Sequence, residues 1–183
     1  MRLPIPISLA LIASLGGGAA QAQDARVNRA TDIYADTCAA YVGAPEKLRA
    51  HLTASFQRLK HADEQRLLAG QAGQIWRTPQ ASEPFGVFSY DNGDCQVVAD
   101  DIAVEPMRQA FRALMAKLAR DASVVANQDQ VLTQNGEQIS SLLYTLQPRQ
   151  GAQHQTTYLL QITRSAQGER RLRLIVAPGA GRR

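Results

Sequence analysis

Three histidines, two cysteines and scattered carboxylates are the residues of this 183-residue chain whose types could do chemistry. A serine or cysteine nucleophile needs a base within reach. His51 and His61 sit in a basic stretch with Arg49, Arg58 and Lys60, and His154 sits in a polar loop, so none has a neighbour placed to orient its ring. No G-x-S-x-G elbow or S-x-x-K motif occurs. The spacing of His51 and His61 is not the i,i+4 interval that lets one helix face chelate zinc, and H-E-x-x-H is absent. The adjacent carboxylates Asp63-Glu64 and Asp100-Asp101 point apart on any regular element, so neither makes a pair across a cleft. Asp91-Asn92-Gly93-Asp94 opens like a calcium loop but lacks the later ligands and the closing Glu, and reads as a turn. Gly70-Gln71-Ala72-Gly73 lacks the Lys and Ser/Thr of a phosphate loop and reads as a hinge. No catalytic residue, metal ligand or cofactor is assigned.

Cys38 and Cys95 remain. Two distant cysteines make a poor zinc site and no CxxC redox motif, but in an oxidising compartment they form one disulfide. The N-terminus supplies that compartment. Arg2 precedes an apolar run from Ile5 to Leu15, and Ala20-Gln21-Ala22 places small residues before a cut at Gln23, the pattern of a secretory signal peptide. The run is about half the roughly 20 residues that span a bilayer, so removal is expected and a transmembrane anchor is not. Residues 1–22 are thus read as a cleaved signal peptide, 23–178 as a single α+β domain and 179–183 as a basic flexible tail. The location implied is periplasmic or secreted.

Two further features suggest binding. Trp76 and Arg77 begin a β-rich region and are a candidate ligand groove. Arg164, Arg171 and Arg173 form a candidate basic face. Charge is also segregated along the chain: Glu83 to Glu105 holds only acids, and Arg dominates after Pro106. The net charge of +4 is too small, and the basic end too poor in interleaved aromatics, to imply a nucleic-acid partner.

The elements that must position these residues follow from periodicity. Residues 24–29 read as a loose start. A helix is expected over Ala30–Val42, and a second from Pro45 through Leu48, Leu52, Phe56 and Leu59 to Leu68. Strands are expected at Gln74–Thr78, around Phe85–Ser89 and at Cys95–Ala99. A third helix begins at Pro106, with Met107, Phe111, Leu114 and Met115 inward and Arg108, Arg112 and Lys117 opposite. Four strands follow (Val124–Thr133, Gln138–Gln147, Thr156–Arg164 and Arg170–Ala177); Asn135-Gly136 turns the first pair, as Asn92-Gly93 turns the earlier hairpin, and Ser165–Gly168 lies between the last two. The fold class is α+β: an N-terminal helix pair, a β-hairpin, a crossing helix and a four-stranded antiparallel meander, all in one sheet. This arrangement resembles profilin-like and PAS-like domains by topology only, since no motif of either is present.

Export, one disulfide, one domain and no catalytic constellation point to a non-enzymatic binding module of the cell envelope, such as an inhibitor or immunity-type protein. Its expected partner is an envelope protein or an anionic envelope component. A small-ligand sensor or carrier, with its pocket between the sheet and the 106–120 helix, is the second reading. An enzyme with a noncontiguous active site is the third.

Overall fold

The computed structural model describes residues 17–80, 84–149 and 154–179. Residues 1–16, most of the expected signal peptide, lie outside them, as do parts of the 79–84 and 148–153 turns and residues 180–183 of the expected tail. The helices are α1 (Gly17–Tyr34), α2 (Pro45–Thr53), α3 (His61–Leu68) and α4 (Val104–Leu118). The strands are β1 (Gln57–Arg58), β2 (Gly73–Arg77), β3 (Gly86–Tyr90), β4 (Cys95–Asp100), β5 (Ala122–Gln134), β6 (Glu137–Pro148), β7 (Thr156–Arg164) and β8 (Arg170–Pro178). They form one sheet in the order β1-β2-β3-β4-β8-β7-β6-β5, antiparallel throughout. The expected meander is therefore one half of an eight-stranded sheet, and β4 pairing with β8 joins the halves.

Alternation decides which face is buried. Val87, Val97, Leu174, Leu160 and Leu142 lie side by side across five strands, all fully buried. On this inner face α4 lays Met107, Phe111, Leu114 and Met115, one helical stripe. α1 packs beside α4 and against β4. The Tyr34 hydroxyl, buried in the core, donates to the Ile175 carbonyl of β8 at 2.8 Å.

Local chemistry overrides the expected boundaries at four places. Residues 24–29 are helical, because Val27 and Ala30 continue the buried stripe of Ile33 and Tyr34. α1 thus runs through the expected cut, and its buried residues, among those whose side chains are described, lie beyond it. After Tyr34 the helix widens to a π-turn, Ala35–Ala39, where the Thr37 hydroxyl takes the Ile33 carbonyl as acceptor. The expected long second helix is broken into α2 and α3. Between them β1 pairs with β2, and the Leu59 N–H donates to the Ile75 carbonyl at 2.9 Å. α4 begins at Val104, two residues before Pro106, which occupies the first turn where its missing N–H leaves no gap.

Two side chains depart further from expectation. Arg108 is not on the solvent side of α4 but only 8% exposed, donating to Ser140 on β6 and Asp129 on β5. Arg112 donates to the other Asp129 oxygen at 2.9 Å, so two arginines share one carboxylate and bind α4 to the outer strands. At the β3–β4 turn only Gly93 takes a positive φ (92°), whereas at the β5–β6 turn both Asn135 (52°) and Gly136 (79°) do, as a type I′ turn requires.

The Cys38–Cys95 disulfide is formed, with Cα atoms 5.2 Å apart and both residues buried. It ties the end of the first helical segment to the start of β4. Closing a 57-residue separation removes about 4 kcal/mol of unfolded-state entropy. Reduction, or Cys38→Ala with Cys95→Ala, is expected to lower the unfolding free energy by up to about 4 kcal/mol. Urea melts of the oxidised and reduced chain measure it.

Candidate functional site

Helices α1 and α4 pack on the inner face, so across the middle of the sheet the residues free to bind lie on the other face. Val98, Arg173, Gln161 and Ser141 form one cross-strand row on it, and Ile75, Phe88, Gln96, Ile175, Leu159 and Leu143 form the next. α3 covers only the β2 end, where Leu68 and Ile75 are buried. Between α3 and β8 runs a groove of about 530 Å³ with Leu68, Phe88, Tyr90 and Val98 as apolar lining and Arg77, Arg171 and Arg173 as cations. The Phe88 and Tyr90 rings stack at 6.3 Å. Beyond β8 the groove meets a polar cavity of about 870 Å³ that shares Asp100, Arg171 and Arg173 with it.

The two sequence candidates therefore meet in part. Arg77, from the first, and Arg171 and Arg173, from the second, border one groove. Trp76 borders it too, but its side chain is 6% exposed and belongs to the core. Successive strand residues face opposite sides, which divides Trp76 from Arg77. Arg164, in register with Arg170 at the far end of β7, stands apart from the groove lining.

The basic residues differ in how their charge is spent. β4 lies against β8, so two acids of the 83–105 stretch, Asp100 and Asp101, meet arginines of the C-terminal stretch. Arg171 Nε donates to Asp100 at 3.1 Å, and Arg170 is paired with Asp101. Arg77 donates to Gln57 at 3.3 Å. Arg173 is exposed and has no hydrogen bond or ion pair among the described residues. Its charge is felt by Tyr90, whose hydroxyl is raised above its ordinary value by burial, with Arg173 drawing it back and Asp94 adding to the rise.

A third cavity, about 490 Å³, is bordered by Arg49, Arg58, His61, Glu64 and Asp91. His61 meets carboxylates here, but each is already engaged. Arg49 holds Asp91 and Glu46, and it also donates to the Ser89 carbonyl at 3.1 Å. Glu64, 2% exposed, receives two hydrogen bonds from Arg58 (2.9 and 3.0 Å) and one from the Ile75 N–H at 3.0 Å. Its neighbour Asp63 instead faces Arg66, so the adjacent carboxylates do point apart. His51 is exposed, with its ring against Tyr41. His154 is exposed as well. No cluster of three or more His, Cys, Asp or Glu side chains is placed to hold a metal among the described residues.

The expected carrier pocket beneath α4 is not among these three cavities. Met107, Phe111, Leu160 and Leu174 are fully buried there. Sequence reading also missed Phe88 and Tyr90. Their signal is the i,i+2 spacing of two aromatics on the strand face opposite Val87. No described helix is long and apolar enough to cross a membrane. No protein-family model, curated protein or solved structure matches the chain.

Burial works against the Glu64 charge, but the hydrogen bonds from Arg58 and the Ile75 N–H, with the Arg58 charge, hold its carboxyl below the usual carboxylate range. A depressed folded-state value stabilises the fold above the unfolded pKa of about 4.3, and that gain is lost as pH falls through the folded value. Glu64→Gln is therefore expected to cost about 2 kcal/mol at neutral pH. The gap to wild type should narrow below about pH 4, as urea midpoints at the two pH values will show.

Proposed function

We propose that this chain is an exported, non-enzymatic interaction module of the cell envelope that docks an acidic partner on the open face of its sheet. An inhibitor or immunity-type protein is the concrete form. The observation that supports it is the α3–β8 groove, where stacked aromatics and apolar side chains lie beside Arg173, a cation without a partner among the described residues. Desolvating an already paired cation on binding gains little, whereas an unpaired one gives a carboxylate or phosphate a new charge-assisted bond. Helices α1 and α4 lie on one face, which leaves the second face, beyond α3, for this use. The buried disulfide accords with export.

The groove is partly open to solvent, which suits a macromolecular surface better than an enclosed small ligand. Binding would therefore rest on a few apolar contacts fixed in place by Arg173, with Arg171 and Arg77 at the rim.

The immobilised oxidised chain is expected to retain an acidic envelope component whose recovery falls about tenfold or more with Arg173→Glu, a loss of at least about 1.4 kcal/mol. Lys117→Glu, on the helix that covers the opposite face, should leave recovery unchanged. Equal recovery by wild type and Arg173→Glu, with equal melting temperatures, would remove the groove from the account.

A further inference from the structure

The sheet has two edges, and they are unlike. β1, at one end, is a two-residue strand, Gln57–Arg58, joined to α2 and α3. β5, at the other, is a 13-residue strand that pairs on one side only, with β6. Its sequence, ASVVANQDQVLTQ, contains no Lys, Arg or Pro, the residues that usually guard an edge against pairing. Apart from Leu67, every strongly exposed large apolar side chain among the described residues lies on β5: Val124, Val125, Val131 (57%) and Leu132 (55%). A bulge between Val124 and Ala126 protects the first part of the strand. The stretch from Ala126 to Gln134 runs in unbroken register.

The turn fixes which backbone groups are free. In a two-residue hairpin the residues flanking the turn, Gln134 and Glu137, form a hydrogen-bonded pair, and such pairs then alternate along the ladder. Leu132, Gln130, Gln128 and Ala126 therefore bond to β6. Asn127, Asp129, Val131 and Thr133 turn their N–H and C=O groups outward.

We propose that β5 is a self-association edge, through which two copies of this chain pair antiparallel about a two-fold axis at Gln130 to form one continuous sheet. That register sets Asn127 opposite Thr133 and Asp129 opposite Val131 of the second copy, so every outward group finds its complement in about eight backbone hydrogen bonds. Opposed residues share a face, as antiparallel pairing requires. The strand's single charge does not repel its copy: Asp129 is already neutralised by Arg108 and Arg112 of its own chain and meets Val131 across the axis. A second copy is favoured over head-to-tail growth because the β1 edge is too short to accept β5, so the contact closes at two. This inference is independent of the open-face groove, which β5 does not line.

Sedimentation of the purified chain between about 1 and 200 µM is the test, covering the micromolar affinity expected of a small edge contact. Wild type and Leu67→Lys are expected to form a dimer. Val131→Pro, which removes an outward N–H and no bond to β6, and Val131→Lys, which charges the edge, should both be monomeric at the wild-type melting temperature. Should the proline variant melt early, the lysine variant decides alone. A wild-type monomer across the range, including one that binds unrelated extended peptides, overturns the proposal. So does a dimer that survives the Val131 substitutions, or growth beyond two.

Discussion

The pairing of β4 with β8 is the contact on which the rest of this structure depends. It runs from Cys95 opposite Val176 to Asp100 opposite Arg171, and it alone joins the strands before α4 to the strands after it. Such a distant pairing must bear the loop-closure entropy before its contacts repay it. Three interactions reinforce it. The disulfide anchors the first helical segment at Cys95, the buried Tyr34 hydroxyl holds Ile175, and Arg26 donates to the Asp100 carbonyl at 2.8 Å. Helix α1 thus straps both partner strands from the same side. Ion pairs of Asp100 with Arg171 and Asp101 with Arg170 close the end of the ladder.

This construction makes the two faces of the sheet chemically unequal. The inner face is packed by α1 and α4, and the residues at its centre are fully buried. The outer face is covered only where α3 meets β2, and there Glu64 holds the short β1 segment and β2 together. What remains exposed is a mixed surface with a groove, in which the sheet junction brings Arg173 beside Val98. Part of the segregation of acids and bases along the chain folds into ion pairs at the β4–β8 junction, Asp100 with Arg171 and Asp101 with Arg170. The unspent cation, and not the overall charge, is what distinguishes the surface.

Much of this was legible in the residues. Two cysteines, with the export expected from the N-terminal pattern, implied the disulfide, Asn135-Gly136 implied a type I′ turn that formed with both residues at positive φ, and strict alternation in β8 placed Arg171 and Arg173 on one face. The failures have physical causes. The apolar spacing of Leu48, Leu52, Phe56 and Leu59 suits a helix, but Glu64, Arg58 and Ile75 bind one another more strongly than helix propensity holds residues 54–60. Arg108 borders the apolar stripe of α4, seven residues before Met115, but its charge favours the solvent side. It is buried because Ser140 and Asp129, brought from distant strands, satisfy it. Trp76 and Arg77 were grouped by adjacency, although strand geometry sends neighbours to opposite faces. The i,i+2 spacing of Phe88 and Tyr90 puts them on one strand face, but placing them in a groove, like placing Glu64 against Ile75, needed the register of β2 and β3.

Residue-level native-state hydrogen exchange on the oxidised chain tests the β4–β8 junction most directly. The amides of β4, β8 and the Val27–Cys38 segment should be the slowest to exchange and should open together, with α2, α3 and β5 opening earlier. Exchange of β4 ahead of β6 and β7, or of the Val27–Cys38 segment independently of β4, would show that the sheet is not held together at that junction.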